Sequence, residues 1–234
     1  MNEAVSIVLV HAAWADGSSW AKVIAPLQSR GYTVVSAPLP LTSLTDDIKA
    51  LERALELIRG PVVLGGHAYS GAVVSGVLSD RVKGLVFVTS LTPDSGETVF
   101  DVFTRDKPHP KAPQLAPGAD GMIWLPRQAF AEAFAQEGTP EQIGLLAATQ
   151  RPISIKCIQE KASRPAWKDK PTWYLIAEED RMINPNTQRF LAERMGARIR
   201  SEKIDHTPMV TEPEPVIDLL LEAAAACVGP PYSV

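Results

Sequence analysis

The segment PVVLGGHAYSGAVVSG, residues 61–76, decides the fold. Its opening, PVVLG, is a near-continuous apolar run, the pattern of a parallel strand covered on both faces. It leads into Gly66-His67-Ala68-Tyr69-Ser70-Gly71 and then a helix-forming stretch. A strand, a tight turn of small residues and a helix are what a nucleophile elbow requires, because only small neighbours let the central side chain point up into a site. Gly66, His67, Ala68, Tyr69 and Ser70 occupy the five positions of the G-x-S-x-G elbow template. The central residue is alanine, which has no nucleophilic atom and no proton to transfer.

The same alternation extends outward. β-Branched runs at 5–10, 32–36 and 82–89 read as further strands. Between them, 45–59 places Ile48, Leu51, Leu55 and Ile58 on one helical face, with Ser43 or Thr45 able to close its start and Gly60-Pro61 to end it. A second helix spans about 19–30, with Pro26 inside it predicting a kink or a late start. In the last third, strands are expected at 172–177 and about 197–203. A helix between them starts at Asn184-Pro185 and stops at Gly196. A final helix is expected from Thr211, with Glu214 completing a capping box, to about Cys227, and the tail Gly229-Pro-Pro is expected to fray. Residues 91–170 break the pattern. They hold nine of the twenty prolines and suggest short helices at 127–137, 139–149 and 153–162 with no good strand. The expectation is a single three-layer α/β domain over 1–234. It has a six-stranded, mainly parallel sheet, helices on both faces, and a small helical cap inserted at roughly 95–165. Ligands in such folds bind at the carboxyl ends of the strands.

Composition narrows the function. The chain has 234 residues, 45% hydrophobic and 21% charged, with a net charge of −4, so it needs no metal or disulfide to fold. The negative balance and the lack of a Lys/Arg run argue against nucleic-acid and anionic-membrane partners. The short apolar start carries Glu3 and no cationic flank, so it does not read as a signal peptide, and no stretch is long enough to span a membrane; a cytoplasmic protein, monomer or homodimer, is the expectation. Cys157 and Cys227 lack CxxC spacing and read as ordinary thiols. No metal-ligand spacing and no Gly-rich phosphate loop is present, so neither a metal nor a nucleotide cofactor is expected.

The segment VVLGGHAYSGAV (62–73) resembles the elbow of the α/β-hydrolase superfamily, in the branch containing bacterial carboxylesterases, plant methylesterases and hydroxynitrile lyases. VLVHAAWADGSSW (8–20) resembles that branch's oxyanion loop, and PLPLTSLTDD (38–47) its segment after the second core strand. LTPDSGET (91–98) is similar to the start of its cap, AEEDRMINP (177–185) to its acid loop, and DHTPMVTEP (205–213) to its histidine loop. The resemblance implies Asp180 as the triad acid, His206 as the general base, the backbone N–H groups of Ala13 and Tyr69 as the oxyanion hole, and Ala68 at the nucleophile position. Trp14 and Trp124 are candidates for lining the pocket. Glu178 and Glu179 read as solvated loop charges, His11 and His67 as local structural histidines, and His109 as exposed.

Three departures accompany the resemblance: Ala68 for serine, Ser70 for glycine, and His11-Ala12 for His-Gly. Ser70 lies in the first turn of the helix and faces another direction, so it reads as a hydrogen-bonding residue rather than a displaced nucleophile. Ala68 is either an engineered change in a serine esterase or native, and the further departures favour a native alanine. Serine-type ester hydrolysis is then abolished on a carboxylic-ester hydrolase scaffold. Two alternatives remain. One is cofactor-free acid–base chemistry by His206 and Asp180, as in the methylketone-synthase-like decarboxylases of the family, which carry alanine at the elbow and act on β-keto acids. The other is a non-catalytic protein holding a small apolar ligand. Hydroxynitrile lyase is disfavoured by Ala12 and Thr207, where such relatives carry threonine and lysine.

Overall fold

The computed structural model describes residues 5–227. In chain order it runs β1 (Ser6–Val10), α1 (Ala21–Ser29), β2 (Thr33–Ala37), α2 (Leu44–Glu56), β3 (Val62–His67), α3 (Ser70–Gly76), β4 (Val82–Val88) and α4 (Val99–Phe103). There follow β5 (Met122–Ile123), α5 (Arg127–Ala129), α6 (Pro140–Thr149), β6 (Ile153–Ser154), α7 (Ile155–Gln159), β7 (Thr172–Ala177), α8 (Pro185–Arg194), β8 (Arg198–Glu202), α9 (Pro208–Thr211) and α10 (Glu214–Cys227). Six strands form one sheet in the order β2-β1-β3-β4-β7-β8, and every neighbouring pair is parallel. This is the expected α/β-hydrolase fold.

The central strands explain why their sequences read as apolar runs. β1, β3 and β7 are buried at every residue, because helices cover both faces of the sheet. α10 lies against β3, β4 and β7, whereas α3 follows β3 on the elbow side and contacts α2. The edge strand β8 is mostly polar and half exposed, as edge strands tend to be. Ser43 starts α2 by accepting from the Asp46 N–H, and Asn184 starts α8 by accepting from the Asn186 N–H, with Gly196 beyond its end at φ +65°. α1 runs through Pro26 after a short 3-10 turn at Gly17–Trp20.

Some expectations are corrected. Thr211 does not start the last helix. Its hydroxyl bonds Asp205 and the Thr207 carbonyl, Pro208–Thr211 form a separate turn, and the long helix begins at Glu214. The 91–170 segment does contain strands: β5 and β6 pair antiparallel, two residues each, too short for periodicity to register. The helix expected over 127–137 breaks after Ala129 into a π-helical turn, Phe130–Phe134, and that expected over 153–162 is the shorter α7. Both cysteines are free thiols, Cys157 buried. The tail Gly229-Pro-Pro lies outside the described residues, and no helix among those described is long and apolar enough to cross a membrane.

Candidate active site

Three strand ends converge on one cavity. After β3 the chain turns at Ala68 with φ +50°, a left-handed conformation unusual for a residue with a side chain. The Ala68 N–H donates to the Val88 carbonyl, and its own carbonyl accepts from the N–H groups of Gly71 and Leu91. Ser70 braces the bend from beneath. Its fully buried hydroxyl accepts from the His67 N–H at 2.8 Å and lies 2.8 Å from the Val10 carbonyl, a neighbour strand. This occupies Ser70 in holding the turn and leaves the methyl of Ala68 as the group at its crest.

Opposite stand Asp180, after β7, and His206, after β8, both about 2% exposed. His206 Nδ1 donates to Asp180 Oδ2 at 2.8 Å. Asp180 is itself fixed by the N–H groups of Met182 (2.7 Å) and Ile183 (2.9 Å) on Oδ1 and by Gln188 Nε2 (2.8 Å) on Oδ2. Those donors fix the carboxylate in place, and its bond to Nδ1 holds the imidazole in one tautomer, with Nε2 left for the cavity. Glu178 and Glu179 are exposed, and Glu178 pairs with Arg189, so neither competes for the histidine.

His67 sits beneath His206 with ring centroids 4.9 Å apart, and its Nε2 donates to the His206 backbone carbonyl at 2.8 Å. Thr89, at φ +45°, donates to the same carbonyl. Complete burial, and then the nearby His206, hold the His67 imidazole well below its usual pKa, so it stays neutral. His11 is local in its bonding: Nδ1 donates to the Ala12 carbonyl and Nε2 accepts from the Leu39 N–H. His109 is exposed.

The cavity between these elements has an empty volume of about 500 Å³ including its mouth. Ala68, Tyr69, Ala13, Trp14 and His206 line it together with Leu91, Met182, Ile183 and, from the 91–170 segment, Val99, Phe103, Leu115, Phe134, Ile153 and Ile158. Apart from His206 and the backbone, the wall is apolar. The backbone N–H groups of Ala13 and Tyr69 donate to no other described residue. Trp14 borders the cavity and is locked by its indole N–H to the Ile123 carbonyl at 2.9 Å. Trp124 does not line it: its side chain is 57% exposed, because the next residues inward, Ile123 and Leu125, take the buried positions. No cluster of metal-ligating side chains occurs among the described residues.

Two features were not foreseen. The π-helical turn carries the Phe134 ring to 5.3 Å from His206, and the Thr207 hydroxyl donates to the Phe134 carbonyl, tying the histidine loop to that turn. Asp47 on α2 is fully buried and accepts from the Tyr69 hydroxyl at 2.6 Å. Its place on the buried helical face, four residues before Leu51 and eight before Leu55, was the available signal.

A model of the alpha/beta hydrolase family matches residues 7–219. Methylesterase 2 of Arabidopsis thaliana is 25% identical over 254 residues, covering 93% of this chain and 95% of that one. Among solved structures, polyneuridine aldehyde esterase superimposes with a TM-score of 0.81 at 21% identity, covering 94% of this chain and 99% of the other. A pyrethroid hydrolase from Sphingobium faniae JZ-2 does so with a TM-score of 0.83 at 22% identity, covering 95% and 98%. With the family match extending from the first strand into the last helix, the chain belongs to the alpha/beta hydrolase family.

Proposed function

We propose that this protein has the scaffold of a carboxylic-ester hydrolase in which the acyl-enzyme route is closed at Ala68, and that His206, held by Asp180, performs general acid–base chemistry on a small, largely apolar ester or keto acid. The observation that carries the reading is the buried His206–Asp180 hydrogen bond at the wall of an apolar cavity whose facing elbow presents a methyl group. Residues 95–165 act as the cap over that cavity, supplying six of its apolar lining residues. The similarity to esterases supports the scaffold.

The chemistry follows from what remains. A covalent intermediate needs a nucleophilic atom at position 68. Without one, the substrate carbonyl oxygen accepts from the Ala13 and Tyr69 N–H groups, which stabilise negative charge developing there. For a β-keto acid, the carbon–carbon bond to the carboxylate breaks, carbon dioxide leaves, and the electron pair forms an enolate held at that oxygen. His206 Nε2 first takes the proton of the substrate's carboxyl group, becoming an imidazolium that Asp180 stabilises. After carbon dioxide leaves it delivers that proton to the α-carbon, so the acid departs as ketone and carbon dioxide with His206 neutral again. A pure ligand-binding role would make no use of a four-donor carboxylate oriented on a cavity histidine.

The test uses both routes. Ala68→Ser is expected to gain hydrolysis of p-nitrophenyl butyrate, and no gain would reject the esterase scaffold. The unchanged protein is expected to release carbon dioxide from a medium-chain 3-oxo acid and to lose this by about 10²–10⁴-fold in His206→Ala. Retained ligand binding with turnover indifferent to His206→Ala would instead identify a binding protein.

A further inference from the structure

Asp47 is a buried carboxylate that the proposed chemistry does not use. It sits where three parts of the site meet. Tyr69, which lines the cavity, follows Ala68 in the elbow, and its hydroxyl donates to Asp47 Oδ2 at 2.6 Å. The Leu41 N–H, in the loop after β2, donates to Asp47 Oδ1 at 2.7 Å, and Leu41 itself is held at φ +59°. The Cys157 thiol, on α7, donates to Asp47 Oδ2 at 3.6 Å. Two further bonds join the same partners: the Ser154 N–H donates to the Leu41 carbonyl at 2.9 Å, and the Thr45 N–H donates to Glu160 Oε2 at 2.9 Å. The residues on either side of Cys157 in this stretch, Ile153 and Ile158, line the cavity.

We infer that Asp47 is a positioning residue that sets the distance between the elbow and the inner edge of the cap, and so the fit of the cavity to its substrate. One carboxylate satisfies donors from the elbow, the loop and the cap at once. Removing it frees the Tyr69 ring on one side and α7 on the other, and both border the same cavity. A buried carboxylate with three protein donors is costly to keep without such use, since an apolar residue of similar size would fill the space at less expense. The inference rests on the proposed cavity being the substrate site, but its central test does not.

That test is hydrogen–deuterium exchange of the full-length protein, read on peptides covering 66–72 and 153–160. Asp47→Asn is expected to speed exchange in both by about tenfold. Tyr69→Phe is expected to speed only the first, and Cys157→Ala only the second. The groups facing Asp47 are Tyr69, Cys157, the neighbouring Asp46, and Glu160 beyond them, and burial raises the Asp47 pKa to about 6. In the unchanged protein exchange in both peptides therefore should vary between pH 5 and 7 beyond the intrinsic rate, and that variation should vanish in Asp47→Asn. Asp47→Asn leaving both peptides unchanged, or all three variants loosening the same region, overturns the inference. If Asp47→Asn does not fold, the two single-partner variants still decide it. In the Ala68→Ser background Asp47→Asn should also lower kcat for p-nitrophenyl butyrate about tenfold and flatten the preference between acetate and octanoate esters. No hydrolysis in that background would reject the esterase reading while the exchange data still judge Asp47.

Discussion

Ala68 holds φ +50° although a side chain disfavours that conformation by about 1–2 kcal/mol. The bend persists because the Val88 carbonyl, the N–H groups of Gly71 and Leu91, and the Ser70 hydroxyl all fix it from outside the residue. The turn is therefore held in the bent conformation without a nucleophilic side chain at its crest. Ala68→Gly should stabilise the protein by about 0.5–1 kcal/mol, since glycine adopts positive φ without the clash but costs backbone entropy. Urea unfolding measures this, and a loss of stability would mean that the methyl packs against the cavity wall more than it strains the bend. Ser70 is the other residue whose role follows from its bonds. Its sequence position suggested a hydrogen bond at the helix start, and it makes one that spans from the elbow to β1.

At the scale of elements, the elbow works because α3 approaches the chain after β4 closely. A Cβ on Gly71 would lie 2.7 Å from the Leu91 carbonyl oxygen and 2.7 Å from Ser90 Cβ. Neither neighbour is a flexible side-chain end, so Gly71→Ala should destabilise by about 1–3 kcal/mol through overpacking. Gly144, within α6, has nothing within 4 Å of an added Cβ. Gly144→Ala should stabilise by up to about 1 kcal/mol, from helix propensity alone. Thermal unfolding of the two variants separates close approach from propensity. Loss of stability at both sites would discount the packing argument. The short elements of the 91–170 segment show where periodicity stops informing. α6 starts with Thr139 and Gln142 reciprocally bonded, a pattern local to four residues. The two-residue strands β5 and β6 and the π-helical turn owe their form to partners distant in sequence, such as Thr207 on the Phe134 carbonyl.

For the whole molecule, pH links the buried groups to stability. Asp47 titrates near 6 in the folded chain and near 3.9 unfolded. Between those values the folded state binds more protons than the unfolded one, so stability falls as pH rises through the window. The loss attributable to Asp47 is up to about 3 kcal/mol and is complete above about pH 6.5. Buried His67 and His11 act in the opposite direction. Their folded pKa values are lowered by burial, so their contribution is present near neutrality and is lost as pH falls below about 6.5. The Asp47 part is isolated by difference: Asp47→Asn should gain on the unchanged protein by up to about 3 kcal/mol between pH 4 and 7 in urea titrations. A flat difference would show that Asp47 is ionised at its ordinary pKa.

What sequence alone determined here is whatever depends on neighbours a few residues apart. The apolar runs of β1, β3, β4 and β7, the Gly66–Gly71 turn with alanine at its centre, and the helix starts at Ser43 and Asn184 are of this kind, because strand burial, turn chemistry and helix starts are set by local pattern. The family resemblance extended that reading to Asp180 and His206, which no local pattern would have paired. Only tertiary structure decided that these two share a hydrogen bond, that Trp124 faces outward while Trp14 borders the cavity, and that Asp47 joins the elbow to α7. Those outcomes depend on which chain segments meet at the ends of a parallel sheet. Residues separated by tens of positions reach hydrogen-bond distance there only after the strands take their order, and no spacing along the chain encodes that distance.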